Sequence, residues 1–141
     1  MNNSVVIDTN VIVSAMYSPK GKPAEVLDLF FTGKIELFFS NDILAEYEDV
    51  LSRPTLKLSV EKKLMFLNIL RQTGSLVEPV ASSTPLPDND DRVFYDVAKS
   101  VGATLITGNI KHFPNDLFIM TPADFLKERS LGNPTRRVIE G

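Results

Sequence analysis

Val5-Val6-Ile7-Asp8-Thr9-Asn10-Val11-Ile12-Val13-Ser14-Ala15 sets an apolar run, three polar residues and a second apolar run in succession. The first run is short and β-branched, which suits a buried strand. The second, at 11–15, reads as a helix. Asp8 therefore stands at a strand exit, where open α/β sheets form their ligand crevice. A carboxylate there can hold a metal ion or a polar substrate. Asp and Thr also begin helices for purely structural reasons. The role of Asp8 thus depends on what else reaches the same crevice.

Further along the chain, short apolar runs alternate with helical stretches. Strand candidates fall at 5–7, 36–39, 76–80, 104–106 and 117–120, and further helix candidates at 24–32, 41–52, 60–72, 91–101 and 122–127. Such alternation predicts a mostly parallel sheet covered on both faces. Pro79 places the third strand at a sheet edge. Gly33 is suited to cap the helix before it, Ser40 to start the next, and Pro54 to stop that one. Residues 82–90 form a polar, proline-containing loop too short to separate two domains. Residues 1–130 read as one domain. Residues 131–141, with Arg136 and Arg137, form a tail suited to disorder or to docking on a partner.

Composition narrows the chemistry. A chain of 141 residues, 43% of them hydrophobic, fits one globular domain with a sizeable core. No apolar stretch reaches about 18 residues, so no membrane span is expected. Met1-Asn2-Asn3-Ser4 lacks the features of a signal peptide, which makes cytoplasmic residence the expectation. The absence of cysteine excludes disulfides, thiolate nucleophiles and sulfur-ligated zinc. The single histidine, His112, cannot form a two-histidine metal site, and as a base it would need acidic or hydroxyl partners. Metal chemistry would rest on carboxylates, which favours Mg²⁺ or Mn²⁺. The net charge of −3 offers nucleic acid no broad attraction. Such a substrate would need a local basic patch or bound cations.

Three later segments bring polar groups that could join Asp8. In Ile43-Leu44-Ala45-Glu46-Tyr47-Glu48-Asp49-Val50-Leu51, the buried face is Ile43, Leu44, Tyr47, Val50 and Leu51 at about 100° per residue. Asp49 points away from it. Glu46 and Glu48 flank it on opposite sides, and periodicity leaves the choice between them open. In the stretch from Asp88 to Ala98, Asp91 lies beside the apolar face in the first helical turn, where the helix dipole favours an anion. Asp96 projects to the opposite side, into solvent. Asp88 or Asp90 could simply cap the helix. Thr107-Gly108-Asn109 follows an apolar strand in a turn that offers small polar groups and backbone amides. Carboxylates brought together without a cation repel one another and raise their pKa values; a divalent ion relieves that strain.

The order of these motifs resembles the PIN-domain family, most closely its bacterial and archaeal toxin-like branch. Asp8-Thr9-Asn10 comes first, and Glu46 follows in the run from Ser40 to Pro54. Asp91 then stands seven residues before Ala98, and Thr107-Gly108-Asn109 precedes Phe113. The resemblance implies a three-layer α/β/α fold around a parallel sheet of about five strands, and Mg²⁺- or Mn²⁺-dependent endoribonuclease chemistry. Asp8, Glu46 and Asp91 match its three acidic, metal-holding positions, which favours Glu46 over Glu48. Asn10 and Thr107 match supporting residues. Asn109 stands where many members carry a fourth acid, a departure that leaves the number of metal ions open. The implied partners are RNA, a cognate antitoxin and, as often in the family, a second copy of the chain.

Two rival readings remain at the sequence level. The first is a non-cleaving PIN-like module that binds RNA or protein. The second is a phosphoryl-transfer enzyme or receiver with Asp8 as nucleophile. The haloacid-dehalogenase type would want a second Asp where Asn10 stands, and Met120-Thr121-Pro122 lacks the lysine of a receiver.

Overall fold

The computed structural model describes residues 3–131 of the chain. The elements run β1 (Ser4–Ile7), α1 (Thr9–Tyr17), α2 (Lys22–Phe31), β2 (Glu36–Phe39), α3 (Asn41–Leu51), α4 (Val60–Thr73), β3 (Ser75–Leu76), α5 (Arg92–Val101), β4 (Thr104–Ile106), β5 (Ile119–Met120) and α6 (Pro122–Leu131). The five strands form one sheet in the order β3-β2-β1-β4-β5, and every pairing is parallel. Val5, Val6 and Ile7 are wholly buried at its centre. Such strands are covered on both faces, hence their unbroken apolar runs. Helices α1, α2 and α6 pack together, while α5 lies against β1, β2 and β4 with α3 beside it. The architecture is the three-layer α/β/α fold.

Local chemistry sets the element ends. The Ser40 hydroxyl accepts a hydrogen bond from Ile43 N at 3.2 Å and starts α3. Gly33 follows α2 with φ +76°, a left-handed conformation that glycine adopts without a Cβ penalty. The register pairs Ile7 with Ile106, so β1 and β4 end side by side. Their next residues, Asp8 and Thr107, leave the sheet together at its carboxyl edge.

Several expectations need correction. The third strand is Ser75–Leu76, not 76–80. Val77 N still bonds Phe39 O at 2.8 Å, but Val80 N turns to the Ser100 hydroxyl at 2.9 Å. Pro79 has no N–H to continue the ladder, and β3 is the edge strand it called for. The last strand is Ile119–Met120, not 117–120, and Leu117 is exposed. Helix α5 starts at Arg92; Asp91 is its N-cap, at the end of a 3-10 turn over Asn89–Asp91. Asp96 is buried rather than solvated. The segment after β3 folds over its side of α5, where Ser82 Oγ donates to Asp96 Oδ1 at 2.5 Å and Arg92 Nη1 stands 3.7 Å away. Arg92 also bonds the Ser82 and Thr84 carbonyls. The face opposite the apolar stripe is therefore covered by chain, and Asp96 is buried with partners. The expected tail falls, beyond Leu131, outside the described residues.

Candidate active site

Asp8 is held by a small network at the carboxyl edge of the sheet. Its backbone N donates to Ile106 O at 2.9 Å, which continues the β1–β4 ladder by one residue. Thr107 Oγ1 donates to Asp8 Oδ2 at 2.7 Å, and Asn10 Nδ2 donates to the same oxygen at 3.3 Å. Asn10 Oδ1 accepts from Gly108 N at 3.2 Å, and Thr107 Oγ1 accepts from Asn109 N at 3.0 Å. The two sequence segments are thus laced together. Asn109 joins the lacing through its backbone. Its exposed side chain lines a neighbouring cleft with Asn10 and Gly108, not the cleft that Asp8 shares with Glu46 and Asp91.

Helix α3 brings Glu46 to Asp8. Tyr47, wholly buried, donates its hydroxyl to Ile7 O, the carbonyl just before Asp8. Its ring packs edge-on against Phe66 and tilted against Phe94. Burial, then the Asp8 and Glu46 charges, push the Tyr47 phenol well above its usual value, so it stays a donor. This anchors α3 with Glu46 toward the sheet edge, where Thr9 Oγ1 donates to Glu46 Oε2 over a long 3.5 Å. Glu48 turns to the other side and pairs with Arg71.

Asp91 arrives from the start of α5. Asp88, not Asp91, caps the preceding turn, accepting from Asp90 N at 2.9 Å. The Asp91 carboxylate makes no capping bond. Among the described residues its Oδ2 is the one buried side-chain oxygen without a hydrogen-bond partner. His112 Nδ1 stands 3.4 Å from it, the acidic partner the lone histidine needed.

The cleft between these groups encloses about 620 Å³ and is lined by Asp8, Glu46 and Asp91 with Asp42, Asp49, Asp90 and Arg53. Burial raises the Asp8 pKa, Thr107 opposes it, and the Asp91 and Glu46 charges add to the rise. Asp91 is raised by burial and by Asp88, with His112 acting against this. Among the described residues no three His, Cys, Asp or Glu side chains converge into a ready-made metal group. The donor set is nonetheless all oxygen, with Asp91 Oδ2 approached by His112 alone and neighbouring acids repelling one another. That chemistry fits a hard divalent cation.

Some of these features left no mark in the periodicity. The cleft position of Arg53 and the Tyr47–Ile7 tie depend on a turn and on a fold-wide contact. The Asp91–His112 pair joins residues 21 apart. The acid-rich stretch around Asp91 was the one visible signal.

A carboxylate-lined cleft thus stands at the carboxyl edge of a parallel α/β/α sheet, where open α/β domains bind their ligands. Residues 4–111 match the PIN-domain family, and the chain belongs to that family. PIN domains are generally metal-dependent nucleases. The chain is also 32% identical over 139 residues to an uncharacterized protein of Methanocaldococcus jannaschii, covering 88% of this chain and 90% of that one. Among the described residues no helix is long and apolar enough to cross a membrane.

Proposed function

We propose that this PIN domain is an endoribonuclease dependent on Mg²⁺ or Mn²⁺, and the toxin half of a toxin–antitoxin pair acting in the cytoplasm. The observation that carries the nuclease reading is the buried Asp8 carboxylate at the β1 exit, in one cleft with Glu46 and Asp91. Asp8 and Asp91 would hold the ion, with Glu46 as third ligand or as base. When bound, the ion would acidify a water and offset the charge developing on a phosphodiester. Thr107 and Asn10 keep Asp8 oriented through their bonds to Oδ2. Glu46 is exposed and held by one long hydrogen bond, so it can turn to take a proton from the attacking water. Asn109 would orient a water or a phosphate from the adjoining cleft. The product would carry a 5′-phosphate. A cognate antitoxin and a second copy of the chain are the proposed protein partners, by resemblance to the toxin-like branch.

The rival reading, a non-cleaving module that binds RNA or protein, has one observation in its favour: the described acids do not stand pre-gathered as a metal group. Incubation of end-labelled RNA with purified protein at graded Mg²⁺ separates the two. Cleavage should require the metal, leave 5′-phosphate ends and vanish in Asp8→Asn. Wild-type rates from a folded Asp8→Asn protein would refute the site.

A further inference from the structure

Three clefts join end to end across Asp8. The first is the acidic cleft already described. The second, of about 460 Å³, shares Asp8, Glu46 and Arg53 with it and continues to Asn10, Ser14 and Tyr17. The third, of about 380 Å³, shares Asn10 and Ser14 and reaches Lys22, Gly108 and Asn109. Together they form one groove with Asp8 between its ends.

Charge along this groove is uneven. Six carboxylates line the first cleft and one cation, Arg53. Among the described residues, Arg53 is also the cation that lines the second cleft, and Lys22 the cation that lines the third. A phosphate chain is repelled by the carboxylates, and the negative net charge does not help it in. Among the described residues that line the groove, Arg53 and Lys22 offset that repulsion, Arg53 in the two clefts that Asp8 also lines and Lys22 in the third. Both are positioned without being consumed. Arg53 Nη2 meets Asp49 Oδ2 at 2.9 Å, and Lys22 Nζ meets Glu25 Oε1 at 3.5 Å. The side chains in these pairs are more than half exposed, so the pairs are weak and exchange readily for another anion. The planar guanidinium of Arg53 suits a phosphate, and the Lys22 ammonium supplies a point charge.

We propose that the RNA strand lies along this groove, with Arg53 holding a phosphate where Asp8 lines it and Lys22 a phosphate further along, in the third cleft. The inference rests on the ribonuclease reading and adds the path of the substrate. Arg53 at the end of α3 could serve the helix dipole alone. In that case its removal would change melting but not the salt dependence of RNA binding.

The test uses Arg53→Gln, Lys22→Gln, Arg53→Lys and, as control, Lys34→Gln. Lys34 precedes β2, at the opposite edge of the sheet, and its removal changes net charge equally. Binding of a labelled single-stranded oligoribonucleotide is followed by fluorescence anisotropy across a range of NaCl, and cleavage kinetics are measured alongside. Arg53→Gln and Lys22→Gln should each bind about five- to tenfold more weakly at low salt. Each should make the slope of log affinity against log salt shallower by about 0.7, the value for one phosphate contact on a single strand. KM should rise with kcat retained. Arg53→Lys should keep the slope, and Lys34→Gln should match wild type throughout. Unchanged slopes in both groove variants, a change in only one, or an equal change in Lys34→Gln would overturn the path. If wild type cleaves in those cases, the path alone fails. A wild type that neither binds nor cleaves RNA would overturn the ribonuclease reading with it.

Discussion

Asp8 concentrates the physics of the site. Its pKa in the fold is raised above the ordinary value of 3.8, first by burial and then by neighbouring acids. The folded state therefore binds this proton more tightly than the unfolded state. The associated stability is fully present below about pH 3.8 and is lost as pH rises through the folded value. At pH 7 without metal, the protein carries a buried charge that other carboxylates repel. In EDTA at pH 7, Asp8→Asn should melt at a higher temperature than wild type, and the gap should close as pH falls toward 4. A gap independent of pH would show that Asp8 is not under this strain. Asn109 poses the complementary question, because it supplies a neutral oxygen where many family members have an acid. Asn109→Asp should lower the Mg²⁺ or Mn²⁺ concentration for half-maximal binding several-fold, as read by calorimetry. Unchanged affinity would leave Asn109 as a turn residue tied in only by its backbone N–H to Thr107.

At the scale of elements, α3 decides which glutamate serves the cleft. Tyr47 bonds the Ile7 carbonyl and sends Glu46 toward Asp8, while Glu48 meets Arg71 on α4. Glu46→Gln should reduce cleavage by two orders of magnitude or more, within the range for catalytic acid–base groups. Glu48→Gln should keep activity and cost at most about 1 kcal/mol in urea unfolding, since its ion pair is exposed. Inactivation by Glu48→Gln alone would reverse the assignment. The helical wheel could not make this choice, because both residues flank one apolar face; the family resemblance favoured Glu46, and the tie of Tyr47 to β1 is the contact that turns it toward Asp8. The apolar face of α5 beside Asp91 was legible, and Phe94, Val97 and Ala98 are buried on it. The wheel was misleading for Asp96, because it assumes that the face opposite the stripe meets solvent. Here the chain after β3 covers that face, and Ser82 and Arg92 supply the partners.

At the scale of the molecule, the parallel sheet gathers Asp8 and Thr107, 99 residues apart, into one hydrogen bond. The central strands were legible because burial on both faces writes an unbroken apolar run into the sequence. The edges were less so, since β3 and β5 are two residues each and their limits depend on Pro79 and on the exposed turn at Leu117. Asp8 and Asp91 were legible from their places at a strand exit and a helix start. The cations that line the groove, Arg53 and Lys22, were not, because the joining of clefts built from separate elements has no sequence period. On the proposed function, Asp8, Glu46 and Asp91 together bind a divalent ion, although they do not stand pre-gathered. Calorimetric titration with Mn²⁺ at fixed pH and salt, on wild type, Asp8→Asn, Asp91→Asn and Glu48→Gln, tests it most directly. Wild type and Glu48→Gln should bind the ion saturably, and both aspartate variants should lose that binding. Equal affinity in wild type and in folded Asp8→Asn and Asp91→Asn would contradict it.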